Sequence, residues 1–350
     1  MTFREIPVVS MSVWTGADAD RGAFAERLRE ICHEIGFFRV VDHGIAPRFV
    51  EDYFAALQAF FDLPEATKAR IDKRRSPWFR GWERVGAELT DSRVDHREQV
   101  DVWTDLPARA RDVEPTYLRL EGPNQWLDEA ELPGFRTRVE RFQEEMGALA
   151  DRLMATMSVG LGLEPGYLHE RFGERRMSLV KLIHYPQTPP GEAGVNPHHD
   201  SGFLSLLLQH GIGGLQVQNA EGDWIDVPVD DAVVVNLGEA LQSMTGNYFV
   251  ATTHRVITTA ERCSSAYFHG PELTTPLAPL PLDARFAASV AASSHHRAAG
   301  FMASRDELLD GVRGATSVSA DTYGQQLWNY FNRSYPELAA RHHPDLVARR

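Results

Sequence analysis

The first half of the chain has the periodicity of helices. Over residues 20–35 apolar side chains recur at spacings of three and four, which places them on one helical face. A β-rich run, 37–41, follows, and a second helix is predicted over 47–63 because Pro lies in its first turn and near its end. The longest predicted helix covers 139–161. Residues 77–135 contain Pro and Trp without a clear period, so we expect a loop-rich segment there.

The second half of the chain consists of short apolar runs separated by Gly, Pro, Asn and Asp, which is typical of strands joined by turns. The seven runs are 178–185, 203–208, 214–218, 224–227, 232–237, 255–258 and 266–269. They predict an antiparallel sandwich or barrel. The tail, 321–335, returns to helical spacing. We therefore expect one cooperative domain over 1–350, with a β core flanked by helices.

Composition and charge narrow the class of protein. The 350 residues are 43% hydrophobic and 24% charged, as in a globular chain, and the net charge of −13 argues against binding to nucleic acid or to anionic membranes. No apolar stretch is long enough to span a bilayer. Cys32 and Cys263 provide neither a disulfide framework nor a Cys-based zinc site. A cytoplasmic, reducing compartment is expected.

Two histidines and an aspartate form a candidate metal site. On a strand, His198 and Asp200 project from one face while His199 points away. His254, on a later strand, would complete a set of two imidazoles and one carboxylate, which leaves open positions on Fe(II) for oxygen activation. His-x-Asp alone is a weak signal, because a hydrogen-bonded turn at a strand start explains it equally well. The presence of His254 and of the Arg262-x-Ser264 pair later in the chain favours the metal site.

Other histidine motifs are given structural interpretations. The segment His343-Pro344-Asp345 lies in a charged tail, and His96-Arg97-Glu98 is expected in a solvated loop. We expect His184 to face outward and His295-His296 to be exposed in an Ala- and Ser-rich loop.

A candidate anion site follows the third histidine by eight residues. Arg262 and Ser264 share a strand face, whereas Cys263 points away. A guanidinium group with a hydroxyl beside it suits a carboxylate held by two parallel hydrogen bonds. The pair is therefore interpreted as an anchor for a diacid that reaches the metal, although a surface Arg beside a Ser is common in isolation.

The order of the motifs resembles the isopenicillin N synthase-like branch of the iron(II)/2-oxoglutarate-dependent oxygenases, over nearly the whole chain. The matching motifs are Gly36-Phe37-Phe38, Asp42-His43-Gly44-Ile45, Phe60-Phe61-Asp62-Leu63-Pro64 with Lys68, Tyr185-Pro186, His198-x-Asp200, residues 242–246, His254-Arg255-Val256 and Arg262-x-Ser264. The resemblance implies an α+β fold, mainly a β core, with a double-stranded β-helix (jelly roll) flanked by helices. It divides the chain into a helical N-terminal region, 1–135, a jelly-roll core, 176–275, and a C-terminal helix that covers the site, 320–340.

The resemblance also implies the cofactor and the co-substrate. Fe(II) would be held by His198, Asp200 and His254, and 2-oxoglutarate would chelate it. Arg262, Ser264 and Tyr185 would bind the distal carboxylate of 2-oxoglutarate. Turnover with O2 would then release succinate and CO2, and the expected outcome is hydroxylation of a small molecule.

Three details qualify this resemblance. The spacing from His254 to Arg262 is one residue shorter than in relatives, and Ile183 stands where many plant relatives have an Asn that contacts 2-oxoglutarate. Asp200 is a carboxylate and not Ala or Gly, so it leaves no vacant position for a halide. Halogenation is therefore disfavoured.

Several segments resemble the bacterial ethylene-forming enzyme of this family, which implies candidate substrate residues. The Gly81-Trp82 to Thr90 loop and the Phe331-Asn332-Arg333 segment carry this likeness. It implies that Glu88, Thr90, Lys181 and Arg333 line the substrate site and that the substrate is small and charged. Tyr185 and Ser264 replace a Phe and an Ala, which favours ordinary hydroxylation over ethylene formation. Equally, Glu88 could be a loop charge, Lys181 an outward strand residue and Arg333 a helix cap.

Three alternatives stay open at this point. An isopenicillin N synthase-type oxidase would use the same iron without 2-oxoglutarate, and an ethylene-forming or arginine-hydroxylating enzyme would share the substrate residues. A non-catalytic jelly-roll binding protein could hold zinc at the three ligands. Dependence of turnover on 2-oxoglutarate and formation of succinate separate these alternatives. The expected partners are the substrate, 2-oxoglutarate and O2, whereas the sequence leaves the oligomeric state and the identity of the substrate open.

Overall fold

The computed structural model describes residues 3–15, 18–90, 93–187, 192–258, 260–293, 296 and 321–347. The strands are β1 Val8–Ser10, β2 Phe37–Val41, β3 Gly81–Glu83, β4 Leu89–Thr90, β5 Arg93–Val94, β6 Glu98–Trp103, β7 Leu179–Tyr185, β8 Val195–His198, β9 Leu204–His210, β10 Leu215–Gln218, β11 Trp224–Asp226, β12 Val233–Leu237, β13 His254–Val256 and β14 Arg262–His269. The helices are α1 Asp18–Glu34, α2 Pro47–Phe61, α3 Glu65–Lys68, α4 Phe135–Gly160, α5 Tyr167–Phe172, α6 Glu239–Met244, α7 Ala284–Ala292, α8 Tyr323–Ser334, α9 Pro336–His342 and α10 Pro344–Val347.

The strands form two main sheets, with β4 and β5 as a separate hairpin. The large sheet has the order β1-β2-β12-β9-β14-β7-β6-β3, and the small sheet has the order β11-β10-β13-β8. Every pairing between these strands is antiparallel except that of β1 with β2. These two sheets are the jelly-roll core that the sequence predicts, and each of the seven apolar runs overlaps a strand. The pattern misses β8, because its Asn196 and Pro197 interrupt the apolar run.

Helices cover the outer face of the large sheet. In α4, the residues Val139, Phe142, Met146, Leu149 and Leu153 are completely buried, as their spacing predicts. The Phe142 ring stacks on Tyr53 of α2 with ring centroids 4.3 Å apart. This packing joins the first half of the chain to the sheet in one continuous hydrophobic core. None of the described helices is both long and apolar enough to cross a membrane.

The expectation of a loop-rich segment over residues 77–135, within a helical N-terminal region, is wrong at β3 and β6. Both strands belong to the large sheet, and β6 pairs along its whole length with β7. All six residues of β6 are buried, including Glu98 and Asp101. The charges hide the strand from a hydrophobicity pattern, whereas in the fold ion pairs with Lys68 and Lys73 compensate them.

The C-terminal helix α8 lies against the loop that follows β8. Thr322 caps its N-terminus, and Gln326 Nε2 donates a hydrogen bond of 2.8 Å to the Ser201 carbonyl oxygen. Its apolar face buries Trp328 and Phe331. The helix therefore contacts the residue that follows Asp200 in the chain, and the expectation that it covers the site stays a prediction.

Candidate metal centre and cosubstrate site

Two neighbouring strands bring the predicted metal ligands together. His198 ends β8, His254 begins β13, and the two residues are direct cross-strand partners. Asp200 Oδ1 lies 3.7 Å from His198 Nε2 and 3.8 Å from His254 Nε2. Both distances are below twice a metal–ligand bond of about 2 Å, so one ion can bridge each pair. Among the described residues, these three form the one cluster of His, Cys, Asp or Glu side chains close enough to share a metal ion.

Backbone carbonyl groups orient both imidazoles. His198 Nδ1 lies 2.8 Å from the Asn196 oxygen, and His254 Nδ1 lies 3.1 Å from the Thr252 oxygen. An Nδ1–H donated to a carbonyl leaves the Nε2 lone pair free for a metal. Burial and the neighbouring His254 imidazole lower the pKa of His198 to about 3, so it is neutral at pH 7. Both rings therefore present a ligand atom to the same point.

The carboxylate of Asp200 is held by its other oxygen. Asp200 Oδ2 accepts hydrogen bonds from Ser205 Oγ and, at 2.7 Å, from Asn236 Nδ2. Burial alone would raise the pKa of Asp200, but the two imidazoles and these two donors hold it below its usual value. The carboxylate is therefore ionised, with Oδ1 directed between the histidines.

A close backbone approach positions the loop that carries Asp200. The Glu239 amide donates a 2.8 Å hydrogen bond to the Asp200 carbonyl. A Cβ on Gly238 would lie 2.3 Å from the Gly202 carbonyl oxygen and 2.9 Å from that of Asp200. The residue after β12 must therefore be glycine for the loop to pack at this distance.

The predicted anion anchor is a buried and incompletely paired guanidinium group. Arg262 is 4% exposed, and its Nε and Nη1 have no hydrogen-bond partner among the described residues. Nη2 reaches Gln209 Oε1 at 3.4 Å, the limit of a hydrogen bond. Burial lowers the pKa of Arg262. A bound carboxylate would satisfy these donors and offset the unpaired charge.

The surroundings of Arg262 agree with a site for one end of a diacid. Tyr185 is its direct cross-strand partner, and the guanidinium carbon lies 5.1 Å from the Tyr185 ring centre. Ser264, on the same strand face, is buried. A Cβ on Gly214 would lie 2.3 Å from the Ile257 carbonyl oxygen and 3.6 Å from Arg262 Nη1, so the guanidinium group reaches the start of β10 in the small sheet.

Two departures from relatives have a structural account. The short connection after His254 still places Arg262 at the first residue of β14, where it is buried. Ile183 is buried in an apolar cluster with Tyr185, Val217 and Val256.

Gln209, on β9 opposite Ser264, is the polar neighbour of Arg262. The sequence analysis missed Gln209, since only the register of β9 against β14 brings it there.

Three of the four candidate substrate residues meet at one place. Lys181 Nζ lies 3.2 Å from each carboxylate oxygen of Glu88, and Arg97 Nη2 lies 2.8 Å from Glu88 Oε2. Thr90 Oγ1 donates a 2.6 Å hydrogen bond to Asp95. Burial would raise the pKa of Glu88, but Arg97 and Lys181 hold it far below its usual value. The three residues thus belong to one buried network of charges.

Arg333 makes no hydrogen bond or ion pair with these three residues in the part of the chain that the structure describes. It is exposed on the last turn of α8, and among the described residues it forms no ion pair with Glu88. Its neighbour Tyr330, in contrast, is close enough for both Glu88 and Lys181 to influence its pKa. The place of Arg333 in the substrate site stays a prediction.

Other interpretations of polar residues require correction. The expected solvated loop at 96–98 contains the buried Arg97 and Glu98. His184 does not face outward, because it lies between Glu98 and Glu261 at 2.9 Å from each. His296 is buried and stacks on His33 with ring centroids 4.0 Å apart, whereas His295 lies outside the described residues. In each case the polar group is buried by a tertiary contact, which the local sequence does not show.

Comparison with known proteins identifies the family. Residues 6–129 match the family "non-haem dioxygenase in morphine synthesis N-terminal", and residues 176–271 match the 2OG-Fe(II) oxygenase superfamily. The chain is 36% identical over 274 residues to the 2-oxoglutarate-dependent dioxygenase frbJ of Dothideomycetidae sp. (strain 11243), which covers 76% of this chain and 73% of that protein.

Solved structures agree with this assignment. The dioxygenase for auxin oxidation (DAO) in rice superposes with a TM-score of 0.61 and 26% identity, covering 79% of this chain and 87% of that one. JOX2 in complex with 2OG, Fe and JA gives a TM-score of 0.64 and 25% identity, covering 79% and 78%.

The chain belongs to the 2OG-Fe(II) oxygenase superfamily. It is an Fe(II)- and 2-oxoglutarate-dependent oxygenase, which acts on a small molecule with O2. The comparisons do not favour the alternatives of an oxidase without 2-oxoglutarate or a non-catalytic binding protein. The likeness to the ethylene-forming enzyme stays a prediction.

Proposed function

We propose that His198 Nε2, Asp200 Oδ1 and His254 Nε2 hold the iron and that Arg262, Ser264 and Tyr185 bind the distal carboxylate of 2-oxoglutarate. One observation carries the proposal. A buried guanidinium group, with N–H groups that lack a partner among the described residues, lies beside the start of β10, which pairs with the strand that carries His254. Such a cation is costly unless an anion completes its hydrogen bonds. The donor set therefore fits Fe(II) and a dicarboxylate together.

Each residue has a defined task in this proposal. Bound iron supplies oxygen activation coupled to decarboxylation of 2-oxoglutarate, with succinate and CO2 as products. The neutral imidazole of His198 and the ionised Asp200 bind without first losing a proton, and Ser205 and Asn236 keep Asp200 Oδ1 directed at the metal. The apolar cluster around Ile183 excludes water from the inner end of the site.

The proposed reaction is hydroxylation of a small, charged substrate beside Glu88, Thr90 and Lys181. The support is the buried charge network, in which Lys181 carries a raised pKa: burial would lower it, but Asp101 and Glu88 outweigh that effect. A substrate with charged groups can exchange partners with these ion pairs, whereas an apolar substrate would leave the charges facing hydrocarbon.

An anaerobic spectrum tests the iron and 2-oxoglutarate sites. Fe(II) and then 2-oxoglutarate are added to the apo-protein, and we expect a saturable metal-to-ligand charge-transfer band. D200A should abolish the band, and R262A should raise the 2-oxoglutarate concentration needed for half saturation by at least about 30-fold, since truncating one partner of a buried charge pair costs about 2–5 kcal/mol.

Arg255 provides the matched control for Arg262. It also stacks on an aromatic ring, that of Trp224 at 3.9 Å, but on the small sheet and with a partner in Gln216. R255A should leave the band and its saturation unchanged. A band that is equally strong in D200A would refute the metal assignment, and unchanged saturation in R262A would refute the anion assignment.

A further inference from the structure

The carboxylate of Asp95 connects the hairpin β4–β5 to the strand that carries the first metal ligand. Asp95 is completely buried just after β5. Its Oδ1 accepts hydrogen bonds from the backbone N–H of Asn196 at 3.1 Å and from Asn196 Nδ2 at 3.0 Å. Its Oδ2 accepts from Thr90 Oγ1 at 2.6 Å and from Arg97 Nη2 at 3.1 Å. All four acceptor positions of one carboxylate are therefore used.

Asn196 passes this constraint to the metal site. Its carbonyl oxygen lies 2.8 Å from His198 Nδ1, the contact that sets the tautomer and direction of the imidazole. Its side chain also donates a hydrogen bond of 3.1 Å to the Val94 carbonyl oxygen. The same residue is thus bound on one side by the hairpin and holds the imidazole on the other. A shift of Asn196 would move the carbonyl to which His198 is hydrogen-bonded.

We propose that Asp95 is a positioning residue that holds His198 in its metal-binding orientation through Asn196. The inference rests on the proposed role of His198 as an iron ligand. Asp95 also holds Thr90 and Arg97, and Arg97 pairs with Glu88, so one carboxylate joins the proposed substrate residues to the metal ligand. The carboxylate of Asp95 therefore links the hairpin to the strand that carries His198.

Replacement of Asp95 by Asn keeps the shape of the side chain but removes its negative charge. The carboxamide has one acceptor oxygen, and the charged donor Arg97 attracts it more strongly than the neutral donors of Asn196 do. The NH2 group of D95N would then face two donors of Asn196, which repel it. D95A removes the acceptors altogether.

The test measures metal binding without turnover. Co(II) is titrated into the apo-protein, and its ligand-field absorption reports affinity and coordination. We expect D95N and D95A to weaken Co(II) binding about tenfold and to alter the band shape. Loss of a group that orients a metal ligand commonly lowers metal affinity by this amount. If D95A does not fold, D95N carries the test.

Glu121 is the matched control, because it is also a buried carboxylate paired with guanidinium groups, those of Arg109 and Arg175. E121Q should lower the melting temperature without changing Co(II) affinity. Unchanged affinity in D95N, or an equal loss in E121Q, overturns the inference. H198A distinguishes failure of the inference about Asp95 from failure of the metal assignment. If H198A binds Co(II) normally, the proposed function fails. If H198A loses Co(II) affinity and D95N does not, only the role of Asp95 is refuted.

Discussion

At the scale of single residues, Arg262 shows how a binding site lowers the stability of the fold that contains it. Its guanidinium group is buried with two nitrogen atoms that lack a partner among the described residues, and burial lowers its pKa. Tyr185 and Gln209 offer only a ring face and one long hydrogen bond. The apo-protein therefore bears a desolvation cost that a bound dicarboxylate would remove.

This cost leads to a prediction of opposite effects. R262M should raise the free energy of unfolding of the apo-protein by about 1–3 kcal/mol, because an unsatisfied buried polar group is replaced by an apolar one. The same variant should lose stabilisation by 2-oxoglutarate. Thermal melts with Fe(II), with and without 2-oxoglutarate, measure both effects. A variant that is less stable than the wild type without ligand would contradict the prediction.

At the scale of elements, the pairing of β7 with β6 and β14 brings His184 between two carboxylates. Its neighbours are Glu98 on β6 and Glu261 just before β14. Burial would lower the pKa of His184, but the hydrogen bonds and charges of these two groups raise it above 6.5. The protonated imidazole therefore stabilises the junction of the three strands.

The raised pKa predicts a pH dependence of stability. A group whose pKa is higher in the folded state stabilises fully below the unfolded value, near 6.5, and that contribution is lost as the pH rises through the folded value. H184Q should therefore lose stability relative to the wild type at pH 5.5 and lose less at pH 9, as measured by urea unfolding. H210Q, at an exposed histidine stacked on Phe54, is the control. An H184Q deficit that grows with pH would contradict the assignment.

At the scale of the whole molecule, buried ion pairs connect the N-terminal region, the sheet and the C-terminal helices. Lys73 is 1% exposed and contacts Glu83, Asp101 and, at 3.0 Å, the Tyr335 hydroxyl between α8 and α9. Burial would lower the pKa of Lys73, but Asp101 and Glu83 hold it well above its usual value. The positive charge of Lys73 thus connects segments that are far apart in the chain.

Removal of that charge should destabilise the molecule as a unit. K73M leaves the buried Glu83 without its cation and Asp101 with Lys181 alone, at 3.5 Å, so we expect a loss of about 3–5 kcal/mol in a single unfolding transition. R70A, which removes exposed ion pairs with Asp128 and Glu131, should cost less than about 1 kcal/mol. Urea unfolding followed by circular dichroism and by Trp fluorescence checks both values. Separate transitions for the two probes in K73M would argue against one cooperative domain.

Periodicity and motif order were sufficient for much of the architecture. Amphipathic spacing predicts α2 and α4, whose apolar stripes are buried as expected, and the seven apolar runs each overlap a strand. The cluster proposed to hold the metal is predictable because the two-residue period of a strand and the later His254 define a recognisable set. These signals are local, and they survive in the sequence because burial of one face requires them.

What the tertiary structure decided is where charges can be buried. Glu98, Asp101 and Arg97 look like surface residues in the sequence, because only the fold places a counter-charge beside each one. For the same reason the sequence does not show the role proposed for Asp95, which depends on two segments 101 residues apart. Apolar burial leaves a periodic trace along the chain, whereas compensation of a buried charge depends on distances that exist only after folding.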